Sequence, residues 1–176
     1  MARLAVLLPF PDRSGRIPVP AAGLAARLDA LGLAAARAYQ GNNLLLDPGE
    51  RPEREVAALV ADTALAGWGV RPAVILRRGE ELRNILARVP FPPDASPSRV
   101  SITFLAGDPD PAGVRTLETY RGPEPVCVSG REVYVLYGED VARSPFTNLP
   151  LERLLGTPVA ARTLHSVRAL AVLANA

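Results

Sequence analysis

The chain's order of elements predicts an α+β fold: two ferredoxin-like βαββαβ subdomains, with an extra helix after each. Three observations carry this reading. The apolar residues alternate between strand-like runs and helical spacing in the order strand, helix, strand, strand, helix, strand. The same order returns after a proline-rich break. And 48% of the 176 residues are apolar, ample for a packed interior and too many for a disordered chain. The boundaries read as residues 1–89 for the first subdomain, 90–98 for a linker and 99–176 for the second, which includes a C-terminal helix.

In the first half, Leu4 to Leu8 is a short buried strand stopped by Pro9. Pro20 sits at a helix start, Leu24, Leu28 and Leu31 recur at helical spacing, and Gly32 ends the run. Ala38 to Leu46 reads as two strand pieces joined at the turn Gln40-Gly41-Asn42-Asn43, where Gly and Asn accept left-handed angles. Val56, Leu59, Val60 and Thr63 mark a second helix ended by Gly67, and Val70 to Leu76 a strand. Leu82, Ile85, Leu86 and Val89 form the stripe of a third helix, which stops at Pro90-Phe91-Pro92-Pro93.

In the second half, Val100, Ile102 and Phe104 alternate with Ser101 and Thr103 as in a half-buried strand. Pro111 opens a helix carrying Val114 and Leu117. Val126 to Val128 and Arg131 to Tyr137 form a hairpin turned at Ser129-Gly130. A helix ends at Gly156, Pro158 to Arg162 is the last strand, and Leu164, Val167, Leu170, Ala171 and Ala174 line a final helix. On this reading Tyr134 and Glu132 lie on the open face of their strand, while Val133, Val135 and Phe104 lie on the core side.

Composition narrows the function classes. All 20 basic residues are arginine, the formal charge is +2, and the signs are interspersed. With a pI near 9.1 the chain is mildly basic but has no clustered stripe of the kind nucleic acid binders show. Aromatic residues are 5% of the chain, and one open-face tyrosine is fewer than a base-stacking sheet uses, so no nucleic acid partner is expected. Cys127 and His165 are the only residues of their kinds, so no internal disulfide, structural zinc site or other metal site is expected, nor any cofactor. The apolar run at the start is too short for a signal-peptide core or a membrane span. Residence in the cytoplasm follows as the expectation, with no membrane partner. The oligomeric state is not legible.

Several motifs fall in a fixed order: Gly130-Arg131-Glu132-Val133-Tyr134, Arg143-Ser144-x-x-Thr147-Asn148, and Leu151-Glu152-x-x-Leu155-Gly156-Thr157-Pro158. Val74 to Leu82 with Pro90-Phe91, and Ile102 to Leu105, precede them. With these the chain resembles the bacterial domain-of-unknown-function family numbered 1697. The resemblance implies a duplicated ferredoxin-like fold and no particular chemistry. The chain departs from the family's pattern at Pro9 to Gly15, at Gln40 to Asn43 and at Arg162-Thr163-Leu164.

The turn from Arg143 to Asn148 is the strongest candidate site. Ser144 before Pro145 suits a helix N-cap and first residue, and Pro150 then breaks the helix. The pattern predicts one helical turn, followed by a helix restarting with Asn148 as its cap. Free backbone donors beside Arg143 favour a small anionic ligand, phosphate or carboxylate, held by Arg143, Ser144, Thr147 and Asn148 with Arg131 and Arg162. The favoured reading, though, is that Ser144 and Asn148 satisfy only their own backbone and that Arg143 pairs with a neighbouring acid. The Arg13–Arg16 loop, read first as a solvated connection, and the Gln40–Asn43 turn, explained at least as well by turn chemistry, are weaker candidates. No acid/base pair or nucleophile is evident, so no catalytic residue is assigned. A small-molecule or anion-binding module ranks first, an interaction or assembly module second, and an enzyme of undefined reaction third.

Overall fold

The computed structural model describes residues 3–9, 19–40, 42–139 and 141–176. The chain forms two compact units: Met1–Arg83 with Ala169–Ala176, and Asn84–Arg168. Residues 90–98 fall inside the second unit.

The first unit runs β1 (Leu4–Leu7), α1 (Ala21–Ala30), β2 (Arg37–Tyr39), β3 (Asn43–Leu46), α2 (Glu53–Trp68), β4 (Ile75–Arg78), and then enters α3 (Gly79–Ala87). Its sheet has the order β2-β3-β1-β4, antiparallel throughout. That is the strand order of a split βαβ unit, and it places α1 and α2 over one face. Leu4, Val6, Leu44 and Leu46 point into this face and pack with Leu24, Leu28, Val56 and Val60 from the helices. The alternate residues Ala5, Leu7, Leu45 and Ile75 on the other face are buried too.

The second unit runs β5 (Val100–Leu105), α4 (Pro111–Glu118), β6 (Val126–Ser129), β7 (Glu132–Leu136), two 3-10 turns (Val141–Arg143 and Pro145–Asn148), α5 (Leu151–Leu155), β8 (Val159–Thr163) and the start of α6 (Leu164–Ala174). The strand order β6-β7-β5-β8 repeats that of the first unit. Val133, Val135 and Leu105 pack with Leu117, Phe146 and Leu155. Gly130 turns the β6–β7 hairpin at φ 60°, an angle that a residue with a Cβ adopts only under strain. Two ferredoxin-like layouts, each followed by an extra helix, are therefore present as the sequence pattern predicts.

Several local expectations change. α2 continues past Gly67 to Trp68, because Gly69 supplies the left-handed C-cap. Val70 to Val74 is not strand; β4 begins at Ile75 and extends to Arg78. The face assignment in β5 also reverses. Ile102 pairs with Tyr134 and Phe104 with Glu132, and directly paired residues share a face. Phe104 therefore lies with Tyr134, on the side opposite Val133 and Val135. That side is not open: Tyr134, Phe104 and Ile102 are each 0% exposed. The Tyr134 hydroxyl donates to the Ile85 carbonyl at 3.1 Å.

Candidate functional site

The second 3-10 turn forms where Ser144-Pro145 predicts it. The Ser144 hydroxyl oxygen accepts from the Phe146 N–H at 3.1 Å, and Pro145 occupies the first position. The restart is different. Asn148 closes the 3-10 turn rather than capping the next helix; Pro150 occupies the cap position of α5 with no side-chain bond. Its φ is nearly fixed and it has no N–H to leave unpaired, so it can start the helix alone.

The Ser144 hydroxyl is already committed. It donates to Glu124, whose other carboxylate oxygen accepts from the Tyr120 hydroxyl at 2.7 Å. Ser144 and Glu124 are both about 95% buried. Burial pushes the Glu124 carboxyl upward, but the hydrogen bonds from Ser144 and Tyr120 outweigh it and hold the group below its usual range. Burial and the Glu124 carboxylate together push Tyr120 up to about 12, so its hydroxyl remains a donor. The Phe146 ring meets Tyr120 and Tyr137 edge-on, at 5.4 and 6.3 Å between centroids. Thr147 turns its hydroxyl back to the Ser144 carbonyl at 2.7 Å. Sequence reasoning missed Glu124 because nothing in Gly122-Pro123-Glu124-Pro125 signals burial; only the fold brings it to Ser144, 20 residues away.

The six candidate residues do not form one cluster. Arg143, Thr147 and Asn148 are exposed on the consecutive turns, and Ser144 is buried beneath them. Arg131 sits at the hairpin end of the sheet, its carbonyl accepting from Leu105 N–H. Arg162 lies opposite Ile102, three residues along from Leu105 and two strands across from β7, roughly 14 Å away from the sheet spacings. Arg162 is instead at the end of the sheet where Tyr137 and the turns sit. There it lines a cavity of about 260 Å³ with Ser98, Ser101, Tyr137, Val141, Ala161 and Thr163. Its Nη1 donates to the Ala161 carbonyl at 2.8 Å, and burial lowers the guanidinium to about 10, leaving it cationic at neutral pH.

The other candidates resolve more simply. Asn43 is buried and its amide donates to the Gln40 carbonyl at 3.2 Å, as turn chemistry expects. The Arg13–Arg16 loop lies outside the described residues. His165 is exposed in the first turn of α6, and Cys127 is a half-buried free thiol. Among the described residues no group of His, Cys, Asp and Glu could hold a metal ion. No helix among them is long and apolar enough to cross a membrane.

The fold thus defines a duplicated α+β protein with a small cavity in its second unit that Arg162 helps to line. The chain belongs to the family described as protein of unknown function (DUF1697), whose model matches residues 1–134. Arg143 to Asn148 and Arg162 lie beyond that match. A solved structure of a conserved bacterial protein from Streptococcus pneumoniae has the same fold, with a TM-score of 0.74 at 17% identity over 98% of each chain. No curated protein matches the chain.

Proposed function

We propose that the protein is a binding module for a small organic anion, with the anionic head on Arg162 and a short apolar body in the cavity beside it. The observation that supports this is the lining of that cavity. Arg162 and the hydroxyl-bearing residues Ser98, Ser101 and Thr163 line a space otherwise bounded by Val141, Ala161 and Tyr137. A guanidinium withdrawn from bulk water binds a carboxylate or phosphate more strongly than an exposed one. At about 260 Å³ the cavity is slightly smaller than the roughly 300 Å³ at which drug-sized ligand sites begin, so the ligand is small.

This reading moves the site within the candidate set. Ser144 is occupied by Glu124, and a buried carboxylate next to it repels an anion. Arg143, two residues beyond Val141 in the same 3-10 turn, is assigned as a second cation at the mouth, with Thr147 and Asn148 on the adjoining turn. Arg131 is assigned no part. The setting we assign is a reducing bacterial cytoplasm, in keeping with a single unpaired cysteine.

The test is a thermal-shift panel of benzoate, phenyl phosphate and inorganic phosphate against wild type and Arg162→Gln. A saturable rise in Tm for the aromatic anions, lost in Arg162→Gln, is expected. No shift with either benzoate or phenyl phosphate, or a shift that Arg162→Gln leaves intact, would refute the assignment.

A further inference from the structure

The first unit carries a groove between α1 and α2 that owes nothing to Arg162. It has a volume of about 410 Å³ and is lined by Ala30, Leu31, Leu59 and Ala66, with Arg27 and Asp62 among the walls. That volume lies within the roughly 300–1,000 Å³ range of small-molecule sites. Leu31 leaves 53% of its surface exposed here, an apolar side chain in water that an apolar chain laid in the groove would cover.

Charge distinguishes the two walls. Asp62 is ion-paired with Arg71 on the surface, which offsets part of its charge. Arg27 is exposed on α1 and rests against Trp68. Its guanidinium carbon lies 5.1 Å from the centre of the Trp68 ring, a cation–π distance. On its flank is Gly67, where a Cβ would stand only 3.4 Å from that carbon. The absent side chain leaves the space in which the guanidinium lies. A cation fixed over a ring loses little freedom when an anion arrives. The groove therefore offers an apolar floor with one pre-positioned positive charge.

We infer that this α1–α2 groove is a second binding site, for an amphipathic monoanion: a carboxylate head on Arg27 with an unbranched apolar chain lying over Leu31, Leu59 and Ala66. Its residues and its unit differ from those of the Arg162 cavity, so the two sites stand or fall separately.

The test uses octanoate as probe, titrated calorimetrically into the full chain carrying Arg162→Gln, so that the cavity of the second unit does not contribute. Saturable binding is expected, at least about tenfold tighter than acetate, because the chain and not only the head is held. Octanol, which lacks the charge, should bind more weakly than octanoate. Arg27→Gln should weaken octanoate about tenfold or more. Ala66→Trp, a substitution at an exposed position that fills the groove, should abolish it. The comparison of octanoate with acetate and octanol needs no groove variant, so it stands even if a variant misfolds. Absence of saturable binding, acetate or octanol binding as tightly as octanoate, or wild-type affinity in either folded variant would overturn the inference.

Discussion

The two units share a strand order and an arginine at the same place in it, yet they use that arginine differently. Arg77 and Arg162 each lie on the last strand of their sheet, opposite the central strand, two residues before the extra helix begins. Each donates Nη1 to the carbonyl of the residue before it, at 2.8 Å in both cases. Arg77 is 2% exposed and closed in, whereas Arg162 borders a cavity. Both arginines pair with central-strand residues of the face turned away from the helices, Arg77 with Ala5 and Arg162 with Ile102, so the helix layer does not set their exposure. The helix layers themselves differ. In the first unit a continuous 16-residue helix, α2, covers the sheet. In the second, Pro145 and Pro150 break the corresponding segment into 3-10 turns and the five-residue α5. A broken helix covers less of the sheet, and Val141 borders the space at that end. Duplication supplied the scaffold, and interruption of one helix distinguishes the copy with the cavity.

The largest effect expected from breaking this comparison is at Gly113. In α4 a Cβ at this position would collide with the backbone carbonyl of Leu154, which cannot move without shifting α5. Gly113→Ala should cost about 3 kcal/mol, read as a lowered urea midpoint. Gly23 in α1 meets only the Trp68 ring edge, at 3.0 Å. That side chain can yield, and alanine's helix propensity offsets about 1 kcal/mol. Gly23→Ala should therefore change stability little. Equal losses at both positions would show that the units tolerate change alike.

Next in size is Ser144→Ala, which removes both the cap on Phe146 and the donor to a buried carboxylate. About 2 kcal/mol should be lost at neutral pH. The pH dependence sharpens the point. Glu124 titrates below its ordinary value in the folded protein, so its contribution is fully present above the unfolded value. It is lost as pH falls through the lowered one. The gap between wild type and Ser144→Ala should narrow in acid; a gap independent of pH would remove Glu124 from the explanation.

Much of this is legible in the amino-acid sequence. Proline and glycine positions gave the start of α4, the hairpin at Gly130 and the end of α5, because those residues restrict or permit particular backbone angles. Which side of a strand is buried was harder. Alternation places Tyr134 opposite Val133, but it does not say that both sides are covered, nor which residues of β5 pair with which of β7. For that reason the sequence pattern sets Phe104 with Val133, whereas it lies on the opposite side. The turn at Ser144 was read correctly as a cap, since capping is local. Its bond to Glu124 was invisible, since that contact depends on β6 and β7 bringing distant loops together. Asn148 misled because a good capping residue stood two positions before a proline able to start the helix by itself.

The smallest expected effect concerns caps. Asp110 accepts from Ala112 N–H at 2.8 Å at the start of α4. In the first unit α1 and α2 start from Pro20 and Pro52, with no side-chain cap bond. Asp110→Ala should cost about 1 kcal/mol by urea denaturation. A loss well below that would mean that Pro111 alone starts α4, as the prolines do in the first unit.

The most direct measurement follows the Nε–Hε resonances of Arg77 and Arg162 by NMR during a benzoate titration of the wild-type chain. Saturable movement of the Arg162 signal with Arg77 unmoved is the expected result. A stationary Arg162 signal, or equal movement of both, would contradict the assignment of the second unit's cavity as the anion site.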